Sequence, residues 1–378
     1  MNEHWIPARI GDALLNVDTP ALILDLNKFE SNLARLMSSI TGGAVRVRPH
    51  AKSHKCVEIA RRQISAGAIG ICCQKSSEAE PFLAGGIVDV LITNEVVGDR
   101  KTRQLAQLAA RYPRAILGVC VDDPRAVAQL ANACEQTRCR LDVYIELEVG
   151  NNRAGAADTM DVLAIARCVE AQEYLSLRGL HAYFGRAQHL RSISERRQAI
   201  AAAAAFARSA QSALLAAGLR CDVITGGGTG TFVFELTSGV YTEIQPGSYI
   251  FMDADYAKNE QDTSWPSFEQ SLMILTTVMS RRQDNHADRA TVDAGLKSFS
   301  TDSGPALPFF AGWQVDTVSD EHTVLHRYAI GPELPLGEKA LLVPGHIDPT
   351  VNLHDWIVAV RGDRVEAVWP IEARGAVF

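Results

Sequence analysis

One eight-residue run, Arg48-Pro49-His50-Ala51-Lys52-Ser53-His54-Lys55, gathers an arginine, two histidines and two lysines. It comes after an apolar strand-like stretch at 44–47 and precedes a helix-like segment that begins near Cys56. Pro49 has no N–H for a sheet ladder and disfavours helix at the residue before it, so the strand is expected to stop there. Residues 50–55 are then presented at the strand's C-terminal end, where parallel α/β folds build their active sites. A lysine in that place can form a Schiff base with an aldehyde, provided positive neighbours or burial bring its amine into the reactive range. A solvated basic turn is the plainer reading of the same residues.

Four other stretches carry chemistry. Thr225-Gly226-Gly227-Gly228-Thr229-Gly230-Thr231 is rich enough in glycine for backbone N–H groups to approach a phosphate, and Gly247-Ser248-Tyr249 can add a hydroxyl and further N–H groups. The loop fits neither GxxxxGK[ST] nor GxGxxG, so nucleotide readings are unsupported; a ligand-free glycine connection is the alternative. In Pro344-Gly345-His346-Ile347-Asp348-Pro349, an extended chain would put His346 and Asp348 on one side, where imidazole and carboxylate can share a catalytic Mn2+, Mg2+ or Zn2+. A turn with a capping aspartate is the plainer reading of those letters alone. In the stretch from His181 to His189, Tyr183 offers a face for stacking on an aromatic cofactor and His189 a base near neutrality, or simply a surface histidine. Arg153, after Glu146 and Glu148, can pair with a cofactor phenolate, a substrate carboxylate or those glutamates.

The elements that must position these groups alternate. Strand-like runs at 21–25, 44–48, 68–73, 88–93, 115–121, 141–147, 176–183 and 221–225 are separated by helix-like segments, and none shows the strict polar alternation of a one-sided sheet. Eight βα units point to a (β/α)8 TIM-type barrel over residues 19–245. From about Gln245 onward the texture becomes β-type, at 272–278, 290–293, 340–343, 356–360 and 364–369, without long helices between. A separate antiparallel β domain over 246–378, joined by residues 1–18, is therefore expected. Residues 284–288 read as a polar loop.

The 378 residues are 47% hydrophobic and 21% charged, with a net charge of −7 and no long basic run, which speaks against nucleic-acid and anionic-membrane binding. No basic leader followed by an apolar core opens the chain, and no window reaches the roughly 18 uninterrupted apolar residues of a membrane span, so a cytoplasmic protein is expected. Eight cysteines without a CxxC pair, several inside apolar runs, read as buried reduced thiols.

Taken in order, Arg-Pro-His-Ala-Lys-x-His-Lys, Cys-Cys-Gln-Lys, Thr-Gly-Gly-Gly-Thr-Gly, Gly-Ser-Tyr, Val-Asp-Ala-Gly-Leu-Lys and Pro-Gly-His-x-Asp-Pro-Thr resemble the D-threonine aldolase and D-serine dehydratase-like family. That family is a branch of the alanine-racemase-like, fold-type III pyridoxal phosphate (PLP) enzymes, and the likeness runs from about Thr19 to Gly375. It implies PLP held as a Schiff base by Lys52, a divalent metal at His346 and Asp348, a homodimer, and action on small D-configured 3-hydroxy amino acids. It also implies that Arg153 and Tyr183 neighbour the cofactor, that His189 is the base, and that Gly227, Gly228, Thr229, Gly247, Ser248 and Tyr249 form the phosphate cup. Within the resemblance, His-x-Asp favours the aldolase and His-x-Cys the dehydratase. The expected reaction is retro-aldol cleavage to glycine and an aldehyde. A 3-hydroxy-D-aspartate aldolase, a D-serine or 3-hydroxyaspartate dehydratase and a non-catalytic PLP-binding protein remain alternatives. Phe184 and Arg186 depart from the family pattern, and Arg186 suits a second substrate carboxylate.

Overall fold

The computed structural model describes residues 5–284 and 287–378. In chain order, β1 (Ala21–Asp25) leads into α1 (Leu26–Ile40), whose first N–H groups, from Asn27 and Lys28, are capped by the Asp25 carboxylate. Eight parallel strands come next: β2 (Arg46–Val47), β3 (Ile71–Cys73), β4 (Asp89–Glu95), β5 (Ile116–Val121), β6 (Leu141–Glu146), β7 (Leu175–His181), β8 (Val223–Gly226) and β9 (Glu243–Ile244). Their order is β2-β9-β8-β7-β6-β5-β4-β3. The two ends meet through a parallel bridge between His50 and Cys72 and through N–H···O bonds from Ile69 to Val47 (3.0 Å) and from Cys72 to Pro49 (2.8 Å), which closes the sheet into a barrel. Around it lie α2 (Val57–Ser65), α3 (Ser76–Ala84), α4 (Asp99–Arg111), α5 (Pro124–Thr137), α6 (Thr159–Glu170), α7 (Ile193–Ala216) and the short α8 (Phe232–Thr237).

The second sheet is built from β10 (Leu272–Asp284), β11 (Ala287–Val292), β12 (Leu307–Pro308), β13 (Trp313–Val318), β14 (Thr323–Arg327), β15 (Lys339–Val343), β16 (Trp356–Arg361) and β17 (Arg364–Pro370), with α9 (Ile347–Val351) between β15 and β16. Two expectations need correction. β1 is not a barrel strand: it lies antiparallel to β10 and parallel to β16. An all-apolar strand can be buried equally well by either sheet, so its pattern did not choose between them; the eighth barrel position belongs to β9, too short to carry a periodic signal. The expected barrel segment 19–245 therefore begins with a strand of the other sheet. Of the polar loop read at 284–288, residues 285 and 286 lie outside the described ones, while Asp284 and Ala287 already pair across the β10–β11 ladder.

The floor of the barrel is charged. Arg48, nearly fully buried, reaches Asp89 at the start of β4 (2.5 Å) and Glu243 on β9 (3.1 Å), so one guanidinium ties the closing strands together. α7 is long and apolar enough to cross a membrane by length and composition. Its Ile200, Ala203, Ala207, Ala210 and Leu214 are instead buried at helical spacing among the protein's own core residues. All eight cysteines are free, and seven are buried.

Candidate active site

The basic octet folds so that its parts do different work. After β2 the chain makes a 3-10 turn, Ala51–Ser53. Nδ1 of His50 accepts the N–H of Lys52 (3.3 Å) while its Nε2 meets Thr93 Oγ1 (2.9 Å), and Nδ1 of His54 accepts the N–H of Cys56 (3.1 Å). Both rings thus lock the turn two residues on. Burial holds both neutral, with the His50 value well below the ordinary one and the His54 value down to about 4. Lys55, at φ 51°, pairs with buried Glu78 (2.7 Å) and its carbonyl accepts the N–H of Ala373 (3.0 Å).

Lys52 remains for chemistry: its Nζ lies 3.6 Å from Asp348 Oδ2 and about a third of its side chain (36%) is open to solvent. The octet suggested that positive neighbours would lower its pKa; the structure reverses the sign. Burial pulls the amine down, but Tyr183 and Asp348 outweigh it and hold the ammonium above its usual value. Arg48 contributes no such push, its charge being matched by Asp89 and Glu243.

The glycine loop after β8 lies against the same turn. Gly227 is left-handed (φ 76°), and a Cβ there would stand 3.1 Å from the Glu235 carboxyl carbon. A Cβ on Gly228 would meet Gln188 Oε1 at 2.6 Å, and that oxygen accepts the N–H of Gly230 (2.9 Å). Thr229 Oγ1 accepts the N–H of Tyr249 (2.9 Å), joining this loop to Gly247-Ser248-Tyr249, and Gly247 packs so closely that a Cβ would come 2.9 Å from the His50 carbonyl. Ser248 Oγ donates to Asp348 Oδ1 (3.4 Å). Tyr249 is fully buried with its phenol bonded to Gln63 (3.2 Å), so of this tripeptide only Ser248 offers a side-chain hydroxyl toward the site.

His346 and Asp348 are not on an extended strand, a further correction to the expectation from sequence. Pro344 comes before, and Pro349 lies inside, a short helix, α9, of which His346 is the N-cap and Asp348 is in the first turn. Asp253 Oδ2 accepts the N–H of Ile347 (3.0 Å), capping that helix from the barrel side, and burial pushes its pKa up to about 6. His346 Nδ1 is held by Asp302 at 2.7 Å, which leaves Nε2 free. Nε2 of His346 and the two oxygens of Asp348, already weakly engaged by Lys52 and Ser248, form a mixed N/O donor set suited to a divalent ion.

Cys120, Glu146 and His181 also lie close enough to share an ion. Their hydrogen bonding says otherwise. His181 Nδ1 bonds Glu146, and Nε2 meets Gln245 Oε1 (3.1 Å), an oxygen whose partner amide is fixed by donation to Thr225 (2.8 Å). Both ring nitrogens therefore donate, and although burial pulls the His181 pKa down, Glu146 carries it above the ordinary value. An imidazolium has no lone pair for a metal, and burial keeps the Cys120 thiol protonated.

Arg153 sits 3.5 Å from Glu146, and its N–H bonds Glu148 (3.0 Å), the glutamate-bridging option left open by the sequence. Tyr183 tilts over His181 at 6.4 Å, and Asn151 clasps the loop after β7 by donating to the Tyr183 carbonyl (2.6 Å) and accepting from Gly185 (2.8 Å) and Arg186 (3.3 Å). Phe184 packs onto Gly150, whose Cβ would meet the ring at 2.4 Å, and against the cluster of Ala187, Ile200 and Phe234; Arg186 is exposed. His189 bonds Asp255 (2.7 Å) and stacks on Tyr256 (5.4 Å, 36°). Tyr256 in turn has Ser248 as its phenol's hydrogen-bonding neighbour and feels the charges of Tyr183 and Asp348. Asp255, Tyr256, Asp302 and Gln188 had no sequence signal, since each acts through a partner remote in the chain. A cavity of about 1080 Å3 between α1 and α8 is lined by none of these groups.

An amine, a glycine cradle with a hydroxyl and an aromatic face in one barrel mouth fit a phosphorylated aldehyde cofactor, and the cradle could not accept a Cβ at Gly228 or Gly247 without moving its neighbours.

The family model described as alanine racemase, N-terminal domain, matches residues 24–255, and one described as putative serine dehydratase domain matches 271–360. A D-threonine aldolase from Arthrobacter sp is 47% identical over 98% of this chain and 96% of its own. A 3-hydroxy-D-aspartate aldolase from Paracoccus denitrificans (strain Pd 1222) is 42% identical over 98% and 95%. The crystal structure of D-threonine aldolase from Filomicrobium marinum superposes with a TM-score of 0.94 at 45% identity, covering 99% of this chain and all of that one.

Proposed function

This chain belongs to the D-threonine aldolase and D-serine dehydratase-like branch of the alanine-racemase-like enzymes, and from that membership we propose that it is an aldehyde-lyase cleaving D-3-hydroxy amino acids to glycine and an aldehyde. The observation that carries the reading is the meeting of Lys52, on the barrel turn, with Asp348, on α9, in one mouth beside Ser248. Two curated aldolases of the branch align over nearly the whole chain.

In this reading Lys52 holds the cofactor, the glycine loop and Ser248 hold its phosphate, Tyr183 lies by its ring and Arg153 by its edge. When bound, PLP supplies an electron sink for the bond that breaks. His346 and Asp348, a mixed N/O donor pair, would hold a divalent ion, Mn2+ or Mg2+ with Zn2+ as the alternative, and that ion would act as a Lewis acid on the substrate's 3-hydroxyl. His189 would take the proton from that hydroxyl as the Cα–Cβ bond breaks to leave the aldehyde, and one proton returned to Cα completes glycine. Between turnovers Lys52 would hold the cofactor. Exposed Arg186 is the candidate contact for a second carboxylate, the feature that separates a 3-hydroxyaspartate from a threonine substrate.

A homodimer is part of the proposal. Leu307, Phe309, Tyr328 and Ile330 are exposed on neighbouring segments of the second sheet, Ile330 at 95%, a patch suited to a second copy. Sedimentation of the holoenzyme checks it. The function itself is tested by giving the protein, with PLP and Mn2+, D-threonine, D-3-hydroxyaspartate and D-serine separately. Equimolar aldehyde and glycine is expected, whereas ammonia with a keto acid would make it a dehydratase.

A further inference from the structure

His189 does not stand alone in the mouth. Its Nδ1 lies 2.7 Å from Oδ2 of Asp255, and the other oxygen of that carboxylate, Oδ1, is taken by Arg191 Nη2 at 2.5 Å. Arg191 is fixed in turn by bonds from Nη1 to the Asp255 carbonyl (2.9 Å) and to Asn259 Oδ1 (2.7 Å), and Lys258 approaches Oδ1 at 3.4 Å. The imidazole packs in a tilted arrangement against the Tyr256 ring (5.4 Å, 36°), whose phenol is the neighbour of Ser248 and which lies within the field of Tyr183 and Asp348. The Asp255 side chain is only 8% exposed, whereas His189 is 42% exposed, so the carboxylate is buried behind a ring that opens to the mouth.

We propose that Asp255, clamped by Arg191, is a positioning residue that fixes the tautomer and aim of His189, so that Nδ1 carries the proton and Nε2 presents a lone pair to the substrate hydroxyl. A carboxylate can only accept, so the bond at Nδ1 requires the proton there; in the neutral ring the lone pair is then at Nε2. Arg191 makes the arrangement one-directional: it can only donate, so it holds a charged acceptor in place and supports the anion, which its guanidinium and the imidazole keep below the ordinary carboxylate range despite burial. Tyr256 sets the plane of the ring. The inference rests on the aldolase reading for what the base acts on; the tautomer itself does not depend on it.

Arg191 also makes the test sharp. In Asp255→Asn the amide must turn its oxygen to Arg191, which places the NH2 against Nδ1 and forces the proton onto Nε2, the wrong nitrogen for a base. Asp255→Asn holoenzyme should therefore show the reversed His189 tautomer by 15N-histidine NMR, identified against His189→Gln. Its kcat should fall on the order of 10²-fold or more with KM within a few-fold, and Asp255→Glu should recover part of the loss. If Asp255→Asn does not accumulate folded, Asp255→Ala serves: it should show mixed tautomers and a similar fall in kcat. An unchanged tautomer, or a kcat within about threefold of wild type, would overturn the proposal. Ammonia in place of glycine from the wild type would overturn the aldolase reading and leave the NMR result to judge the tautomer.

Discussion

Lys52 Nζ and Asp348 Oδ2 stand 3.6 Å apart although one belongs to the barrel's first turn and the other to a short helix of the second sheet. The site thus lies where the barrel turn meets α9: Asp253 caps that helix, and the N–H of Asp255 donates to the Gly345 carbonyl (3.2 Å). Substitutions on either side of this seam are expected to change cofactor or metal handling in separable ways.

Lysine assignment comes first. Borohydride reduction of the holoenzyme and subsequent peptide mapping should place the cofactor on Lys52, and Lys52→Ala should give no adduct. Lys55 is the control, because its ammonium is spent on Glu78 at 2.7 Å; an adduct there would refute the assignment.

The metal pair gives a second expectation. Chelation with EDTA should abolish cleavage and Mn2+ restore it, while Asp348→Asn and His346→Ala should each weaken Mn2+ binding, read by calorimetry, by about tenfold or more. Asp302→Asn should weaken it less, because Asp302 only orients His346 through Nδ1. Activity indifferent to chelation would sink the catalytic role.

Glu235 makes folding stability depend on pH. Its carboxyl is fully buried beside Thr231 (2.8 Å) and the glycine loop, and burial pushes its pKa from 4.5 to about 7. A raised acid favours the fold while protonated, so its contribution is whole below pH 4.5, is lost as pH rises toward 7, and is level above that. At about 1.4 kcal/mol per unit the loss is roughly 3 kcal/mol, and Glu235→Gln should flatten that part of the urea-unfolding profile between pH 4.5 and 7. Parallel profiles for the two proteins would count against it.

Arg48→Met should cost about 3–5 kcal/mol by chemical denaturation, because it strands Asp89 and Glu243 without a counter-ion at the barrel floor. Arg46→Met, at an exposed position two residues earlier, should stay within about 0.5 kcal/mol.

Much of this protein was legible in the residues themselves. Pro49 ended a strand and set Lys52 at its C-terminal end, the apolar runs and their spacing gave seven of the barrel strands within a few residues, and Gly227 and Gly228 sit where a side chain would not fit. These are local matters, decided by backbone sterics and burial on a scale of a few residues. Only the tertiary structure decided the rest. It gave β1 to the other sheet and the last barrel place to the two residues of β9, because an all-apolar run does not name its neighbour. It turned His50 and His54 into locks for the turn, raised rather than lowered the Lys52 ammonium through Tyr183 and Asp348, and set Asp255 behind His189 and Asp302 behind His346. Charge and hydrogen bonding act through space over a few ångströms, and chain order does not record which groups will be brought that close.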